Sequence, residues 1–365
     1  MQVPSFDLER WQSLHEHQVE INLSESGVKP LRLEELTDAI GDVLGPTELG
    51  YAQTNGTAAL RDRIATLYPG TGLAEILVTN GSSEANFICA WHLIEPGDEI
   101  VVVQPNYMQV AGTARSFGAT VHPVWLEEGP DGWQLDLDAV AETVSPRTRL
   151  IAFSNPNNPT GSQIDAANLD RLCDIAATHS SWILADEVYR GAELSGPLTE
   201  TAWGRYDRTL VVSGLSKAYG LPGLRVGWVV GPTDTVAELW GCRDYTSIVS
   251  GTLSDRLAQL ALDQREQLRA RARRILLDNQ ARVARWVEST DGYHQTPPRA
   301  GGVTLIGYAG SVGSAELAET LLIEHGVLIV PGSQFDLEGY LRVGIGGTAA
   351  PLAEGLARLA LAFSQ

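Results

Sequence analysis

The stretch SGLSKAYGLPGLRVGW, residues 213–228, follows directly on TLVV at 209–212. The apolar run reads as a short buried strand. A single lysine, Lys217, comes just after the strand end, with glycines and small residues around it and Arg225 eight positions later. A solvated surface lysine needs none of this. In an open α/β sheet, ligands bind outside the carboxyl ends of the strands. A lysine placed there, beside a second cation and among glycines, is placed for chemistry.

The flanking sequence supplies the rest of such a sheet. EILVTNG (75–81), DEIVVVQP (98–105), RLIAFSNP (149–156) and SWILADEV (181–188) read as strands. SSEANFICAWHLI (82–94), NYMQVAGTARSFG (106–118) and DAANLDRLCDIAATHS (165–180) read as helices between them. Strands alternating with helices predict an α/β domain with a mostly parallel, doubly covered sheet. This large domain is expected over 50–244. The Arg-rich amphipathic segment 254–290 predicts one long helix, or two, leading out of it. GGVTLIGYA, AELAETLLIEHG, VLIVPG and YLRVGIG then predict a smaller α+β domain, so 245–365 is the linking helix and small domain. Residues 1–49 are expected to be irregular and to pack on the small domain.

Composition narrows the function. The 365 residues carry a net charge of −19, which disfavours a nucleic-acid partner by phosphate repulsion. No run of eighteen apolar residues marks a membrane span, and the charged N-terminus has no apolar signal core. Cys89, Cys173 and Cys242 lie far apart without CxxC spacing, so a disulfide scaffold and a zinc cluster are not expected. A reducing cytoplasm is the expected compartment. The histidines form no metal-binding spacing.

The residues after the strands form a set. They are Ser82 and Ser83 at a helix start, Tyr107, Asn158, Asp186 and Tyr189, then Ser216, Lys217 and Arg225. A helix N-terminus binds anions. Together these supply what a pyridine aldehyde phosphate requires: an amine for the aldehyde, a carboxylate for the ring nitrogen, and a phenol and an amide for the ring oxygen. They also supply an aromatic for the ring face, and a guanidinium and an anion cradle for the phosphate.

GLSKAYGLPGLRVG resembles the lysine signature of the class I/II aminotransferases, which are fold-type I pyridoxal-5′-phosphate (PLP) enzymes. NPNNPTG, ADEVYRG, TNGSSEA and YLRVGIG are similar to the family's other landmarks, in the same order, over nearly the whole chain. The resemblance implies a fold-type I transferase with a large, mostly parallel-sheet domain and a smaller α+β domain. It makes Lys217 the Schiff-base lysine and proton shuttle, and Asp186 the partner of the pyridine nitrogen. Asn158 and Tyr189 become the partners of the ring oxygen, and Tyr107 the stacked aromatic. Arg225, Ser216, Ser82 and Ser83 become the phosphate site. Arg342, in YLRVGIG, matches the arginine that grips the substrate α-carboxylate with its planar fork, and Asn158 and Gly27 join it in the substrate site. Tyr51 resembles the tyrosine that reaches the neighbouring subunit's phosphate, which implies a homodimer with shared active sites. One position departs from the pattern. Many relatives have a hydroxyl residue three before the lysine, where this chain has Gly214, which implies that the phosphate leans more on Ser216, Arg225 and the loop.

The reaction implied first is transamination of an α-amino acid to a 2-oxo acid. INLSESGVKPL (21–31) differs from the usual glycine-proline segment and resembles PLP cyclases of antibiotic biosynthesis such as capreomycidine synthase; RDYTSIVSG and PRAGGVTL lean the same way. The alternative is therefore a lyase or cyclase acting by β/γ-elimination, deamination or ring closure. Both readings use Lys217, Asp186 and Arg342, and similarity of fold does not choose between them. Glu25, Ser26 and Lys29 are candidates to line the side-chain pocket. A non-catalytic ligand-sensing domain is the remote third reading, and the presence of Lys217 speaks against it. A nucleotide-binding enzyme would need GxGxxG after a strand or GxxxxGK[ST], and neither occurs.

Overall fold

The structure is a computed structural model that describes residues 3–130 and 132–363. Residues 1–2 and 364–365, the outer ends of the expected N-terminal segment and small domain, lie outside the described residues.

An eight-stranded sheet organises the first two thirds of the chain. In chain order its strands are β1 (Ile76–Thr79), β2 (Glu99–Gln104), β3 (Thr120–Gly129), β4 (Gly132–Leu135), β5 (Thr148–Ser154), β6 (Trp182–Asp186), β7 (Thr209–Gly214) and β8 (Gly227–Val230). Their order across the sheet is β1-β8-β7-β6-β5-β2-β3-β4. From β7 to β3 the neighbours are parallel, while β8 runs against both β1 and β7 and β4 runs against β3. Strands β1, β2, β7 and β8 are buried at every position, which fits their unbroken apolar runs: a sheet covered on both faces has no polar side to alternate with. Val78, Val101, Ile151 and Val211 join one core, and Leu77, Ile100, Leu150 and Leu210 join another, so adjacent residues of each strand feed opposite faces.

Strands β3 and β4 were not anticipated. β3 carries Pro123 and the polar run Glu127-Glu128, and its exposure is mixed along its length. Such a strand near a sheet edge lacks the clean apolar signal of the central ones.

The Arg-rich segment forms two helices, Thr252–Asp263 and Arg265–Ser289, broken at Gln264. Beyond them lies an antiparallel four-stranded sheet in the order Tyr293–His294, Val303–Tyr308, Tyr340–Gly344, Val330–Pro331. The helices Ser314–His325 and Ala349–Phe363 accompany it. The N-terminal segment is less irregular than expected. It opens with the helix Asp7–His15, and Ile21–Asn22 then pairs in parallel with Val327–Leu328. Trp11 Nε1 donates to Ile329 O at 2.7 Å, which fixes the helix to the strand region of the C-terminal part. The same helix reaches the large sheet, since Phe6 packs on Tyr107 with ring centroids 4.9 Å apart. No described helix is long and apolar enough to cross a membrane.

Candidate active site

The parallel core sets the carboxyl ends of β5, β6 and β7 side by side. Ser154 is in register with Asp186, and Asp186 with Val212. Asp186 therefore leaves the sheet beside the strand that leads into Lys217. A cavity of about 240 Å³ opens at these ends. Its walls include Ser82, Ser83, Tyr107, Asn158, Asp186, Tyr189, Ser216, Lys217, Arg225 and Arg342. Residues as far apart in the chain as Leu8 and Arg342 thus share one space. Gly27 is not in the wall, but a Cβ there would lie 3.2 Å from Ser216 O and 3.8 Å from Lys217 Cδ, so it lets the N-terminal segment pass close behind the lysine. Tyr51 lies elsewhere. It is 89% exposed, in an open groove with Leu49, Gly50 and residues 249–254. Lys29 is exposed and outside the cavity, whereas Glu25 and Ser26 line it.

Lys217 Nζ donates to Ser26 Oγ at 2.8 Å and stands 3.8 Å from Glu25 Oε1. Glu25 Oε1 also accepts from the Ser26 and Gly27 amides, each at 2.9 Å. Burial pushes the Glu25 carboxyl up, but the Lys217 charge, those two amides and Arg342 outweigh it and hold it below its ordinary value. Tyr189 is buried and its hydroxyl donates to Ser26 O at 3.1 Å, so Ser26 touches both Lys217 and Tyr189.

Asp186 accepts from Asn86 Nδ2 at 2.8 Å and from the Val188 amide at 3.1 Å. Burial raises its pKa above the ordinary carboxylate value; the bonds from Asn86 and Val188 and the charge of Lys217 oppose this without overcoming it. A half-buried carboxylate held by two neutral donors is short of positive charge, which a protonated ring nitrogen would supply. Asn86 itself was missed in the sequence. It is 3% exposed and sits one helical turn inside Ser82–Leu93, with its Oδ1 unpaired. Nothing in NFICAW distinguishes it from a core-facing helix residue until the sheet brings Asp186 against it.

The anion end is built from backbone. Gly81, at φ +82°, precedes the helix Ser82–Leu93, and no side chain caps the helix amides. A Cβ at Gly227 would come within 2.4 Å of Ser82 N, and one at Gly81 within 2.4 Å of Arg225 Nη2. Only glycines let β8, the helix start and the Arg225 guanidinium converge. Gly214 pairs across from Gly227, and a Cβ there would lie 2.8 Å from Val226 O. The missing hydroxyl three before the lysine thus follows from a glycine-on-glycine strand crossing. Ser213 does not replace it, because its Oγ donates to Glu187 O. Glu84 braces the cradle: it accepts from the Asn80 amide at 2.6 Å and lies 3.5 Å from Arg243 Nε. Arg243 in turn donates to Thr54 O and Ser250 Oγ, which ties the cradle to the groove around Tyr51.

Tyr107 lines the cavity and its hydroxyl donates to Glu9 Oε1 at 2.6 Å; burial, then the Glu9 charge, pushes its pKa far up. Arg342 is 1% exposed. Nη2 donates to Ser24 O at 2.7 Å, Nη1 to Asn158 Oδ1 at 3.2 Å, and Nε has no partner. A buried guanidinium with neutral acceptors and a spare donor is suited to an anion. The N-terminal helix contributes Glu9, Gln12 and Ser13 to the cavity, a helix that sequence reasoning left out of the site.

Comparison with known proteins agrees with this geometry. The model of the family aminotransferase class I and II matches residues 19–359. The chain belongs to that family. Capreomycidine synthase of Streptomyces vinaceus is 33% identical over 364 residues, covering 98% of this chain and 93% of its own. Arginine–pyruvate transaminase of Pseudomonas aeruginosa is 30% identical, covering 86% of this chain and 82% of its own. The crystal structure of a PLP-dependent aminotransferase from Streptococcus suis superposes with a TM-score of 0.95 at 34% identity, covering 100% of this chain and 98% of the other. This class I and II family member is an aminotransferase-like enzyme with the fold-type I architecture.

Proposed function

We propose that the protein is a PLP-dependent aminotransferase that converts an α-amino acid to its 2-oxo acid. The observation that carries the reading is the convergence of Lys217, Asp186, Arg225 and Arg342 on one cavity. The charge-deficient Asp186, the uncapped helix start beside Arg225 and the spare Nε of Arg342 each fit one part of the cofactor or substrate. When bound, PLP supplies an electron sink that makes the substrate Cα proton acidic. Asp186, supported by Asn86, holds a proton at the ring nitrogen. Asn158 and Tyr189 bind the ring oxygen, and Tyr107 covers a ring face. Ser82, Ser83, Ser216 and Arg225 bind the phosphate. Arg342, with Asn158 beside it, orients the substrate by its carboxylate, Gly27 gives the substrate-side segment room against Lys217, and Lys217 moves the Cα proton. Ser26 and Glu25 keep the lysine amine directed into the cavity.

The 89% exposure of Tyr51, in a groove whose Ser250 is joined by Arg243 to the phosphate cradle, supports a homodimer in which Tyr51 serves the partner's site. The reading includes a cytoplasmic enzyme acting on a small-molecule amino acid substrate, with no nucleic-acid or membrane partner. It also divides the chain into 1–49, 50–244 and 245–365, which the separate eight-stranded and four-stranded sheets support.

The second reading, a lyase or cyclase of a natural-product pathway, is favoured by the match to capreomycidine synthase over 98% of this chain and by Ser26-Gly27 lying against Lys217. Product analysis with and without a 2-oxo acid acceptor separates the two. Transamination requires the acceptor stoichiometrically, whereas ammonia release or a cyclic product without acceptor supports the second reading.

A further inference from the structure

We infer that the substrate carries a cationic side chain, of the guanidinium or ammonium type. The inference rests on the proposed reaction and assigns the side-chain end of the same cavity. The charged side chains lining it are Lys217, Arg225, Arg342, Asp186, Glu9, Glu16 and Glu25. The proposed roles use all three cations and one acid: Lys217 meets the cofactor aldehyde, Arg225 its phosphate, Arg342 the substrate carboxylate and Asp186 the ring nitrogen. Three carboxylates remain, and the cations that act on Glu9 and Glu25 from within the cavity, Arg342 and Lys217, are already committed to those roles. Their contacts in the fold are partial. Among the described residues Glu9 accepts the neutral Tyr107 hydroxyl at 2.6 Å and no other hydrogen bond, and Glu16 has His17, a largely exposed side chain, 3.4 Å away. Glu25 has two amides and Lys217 at 3.8 Å, an amine that the proposed reaction already commits to the cofactor.

A second feature of the cavity is the guanidinium that faces two of these acids, Glu9 and Glu25. Arg342 is 1% exposed, bonds only to the neutral acceptors Ser24 O and Asn158 Oδ1, and leaves Nε unpaired. It marks a carboxylate subsite in the same space. A carboxylate subsite joined to an acidic wall selects a ligand that is negative at one end and positive at the other. Glu9 and Glu16 lie on the N-terminal helix and at its end, and Glu25 on the segment bonded to it through Gln12 and Ser24. The acidic wall is therefore carried by one part of the chain, opposite the phosphate cradle in role.

The test uses the cofactor-loaded enzyme and two matched pairs: arginine against citrulline, which replaces guanidinium by neutral urea at nearly the same shape, and lysine against norleucine. The cation should be favoured in kcat/KM by about tenfold or more, the discrimination expected of a charge-assisted hydrogen bond. Glu16→Gln should reduce that ratio by lowering kcat/KM for arginine more than for citrulline, and Glu25→Gln should do so with an added change in the lysine-bound cofactor spectrum. Calorimetric binding of arginine and citrulline to PLP-loaded Lys217→Ala, which does not turn over, should show the same preference. Equal use of both members of each pair, or a preference for glutamate, overturns the inference and leaves the proposed reaction standing. Failure of the protein to load PLP or to transform any amino acid overturns the reading beneath it as well.

Discussion

Arg342→Lys keeps the charge and removes the fork. In the fold the guanidinium spans Ser24 O at 2.7 Å and Asn158 Oδ1 at 3.2 Å, and Nε has no partner among the described residues, so Nε and the second hydrogens of the Nη atoms remain as donors. Lysine has the charge but cannot hold both protein acceptors and still present two parallel donors to a carboxylate. At least one charge-assisted hydrogen bond to the substrate is lost, about 1.5–3 kcal/mol. That corresponds to roughly a ten- to hundredfold fall in kcat/KM. The effect should fall on substrates with an α-carboxylate only. The assay compares an amino acid with its decarboxylated amine in both proteins. For the amino acid the variant should be impaired by the stated factor, and for the amine the two proteins should agree within about threefold, a small difference on this scale. The lysine-bound cofactor spectrum should persist, because the arginine is assigned to substrate and not to PLP. An equal loss for both compounds, or no loss for the amino acid, would refute the carboxylate assignment.

Other outcomes follow from the same contacts. Asn86→Leu removes one of the two donors to Asp186, so PLP affinity should weaken by about 1–3 kcal/mol; fluorescence titration of apoenzyme with PLP measures this, and unchanged affinity would deny Asn86 its supporting role. Glu187 is fully buried, and burial, with Asp186 adding to it, raises its pKa to about 7 against the pull of Arg190, the Ala202 amide and Thr201. The folded state then binds more protons than the unfolded chain between pH 4.5 and about 7, so Glu187 lowers stability as pH rises across that window. Glu187→Gln should flatten this decline, by up to about 3 kcal/mol, in apoenzyme melts read from pH 4.5 to 7; a slope identical to the parent's would contradict it. Gly214→Ser restores a hydroxyl at the family position but places a Cβ 2.8 Å from Val226 O. It should destabilise the fold by about 1–3 kcal/mol and not tighten PLP binding; tighter binding at equal stability would show that the phosphate site lacks that hydroxyl.

Much of the large sheet was legible because its central strands are buried on both faces and read as unbroken apolar runs, each ending in a functional residue. Strand ends such as Asp186 and Lys217 are local features, so short motifs locate them. The less visible parts depend on contacts between distant segments. Asn86 acquires meaning only against Asp186, a hundred residues on. Glu9 and Gln12 enter the cavity because Trp11 anchors their helix to Ile329, 318 residues away. The two-residue pairing of Ile21–Asn22 with Val327–Leu328 is too short to leave a periodic signal. β3 was masked by Pro123 and by polar residues that an edge position tolerates. The role of Gly214 became clear only from its register with Gly227.

The central claim is that the Lys217 amine and the Asp186 carboxyl serve one bound ring. Absorbance of the purified protein mixed with PLP, followed by borohydride reduction and peptide mass analysis, tests it most directly. The account predicts a visible band that bleaches on reduction, with the phosphopyridoxyl mass on the peptide containing Lys217, and no such band or adduct in Lys217→Ala. A permanent adduct on another lysine, or an unchanged band in Lys217→Ala, would contradict it.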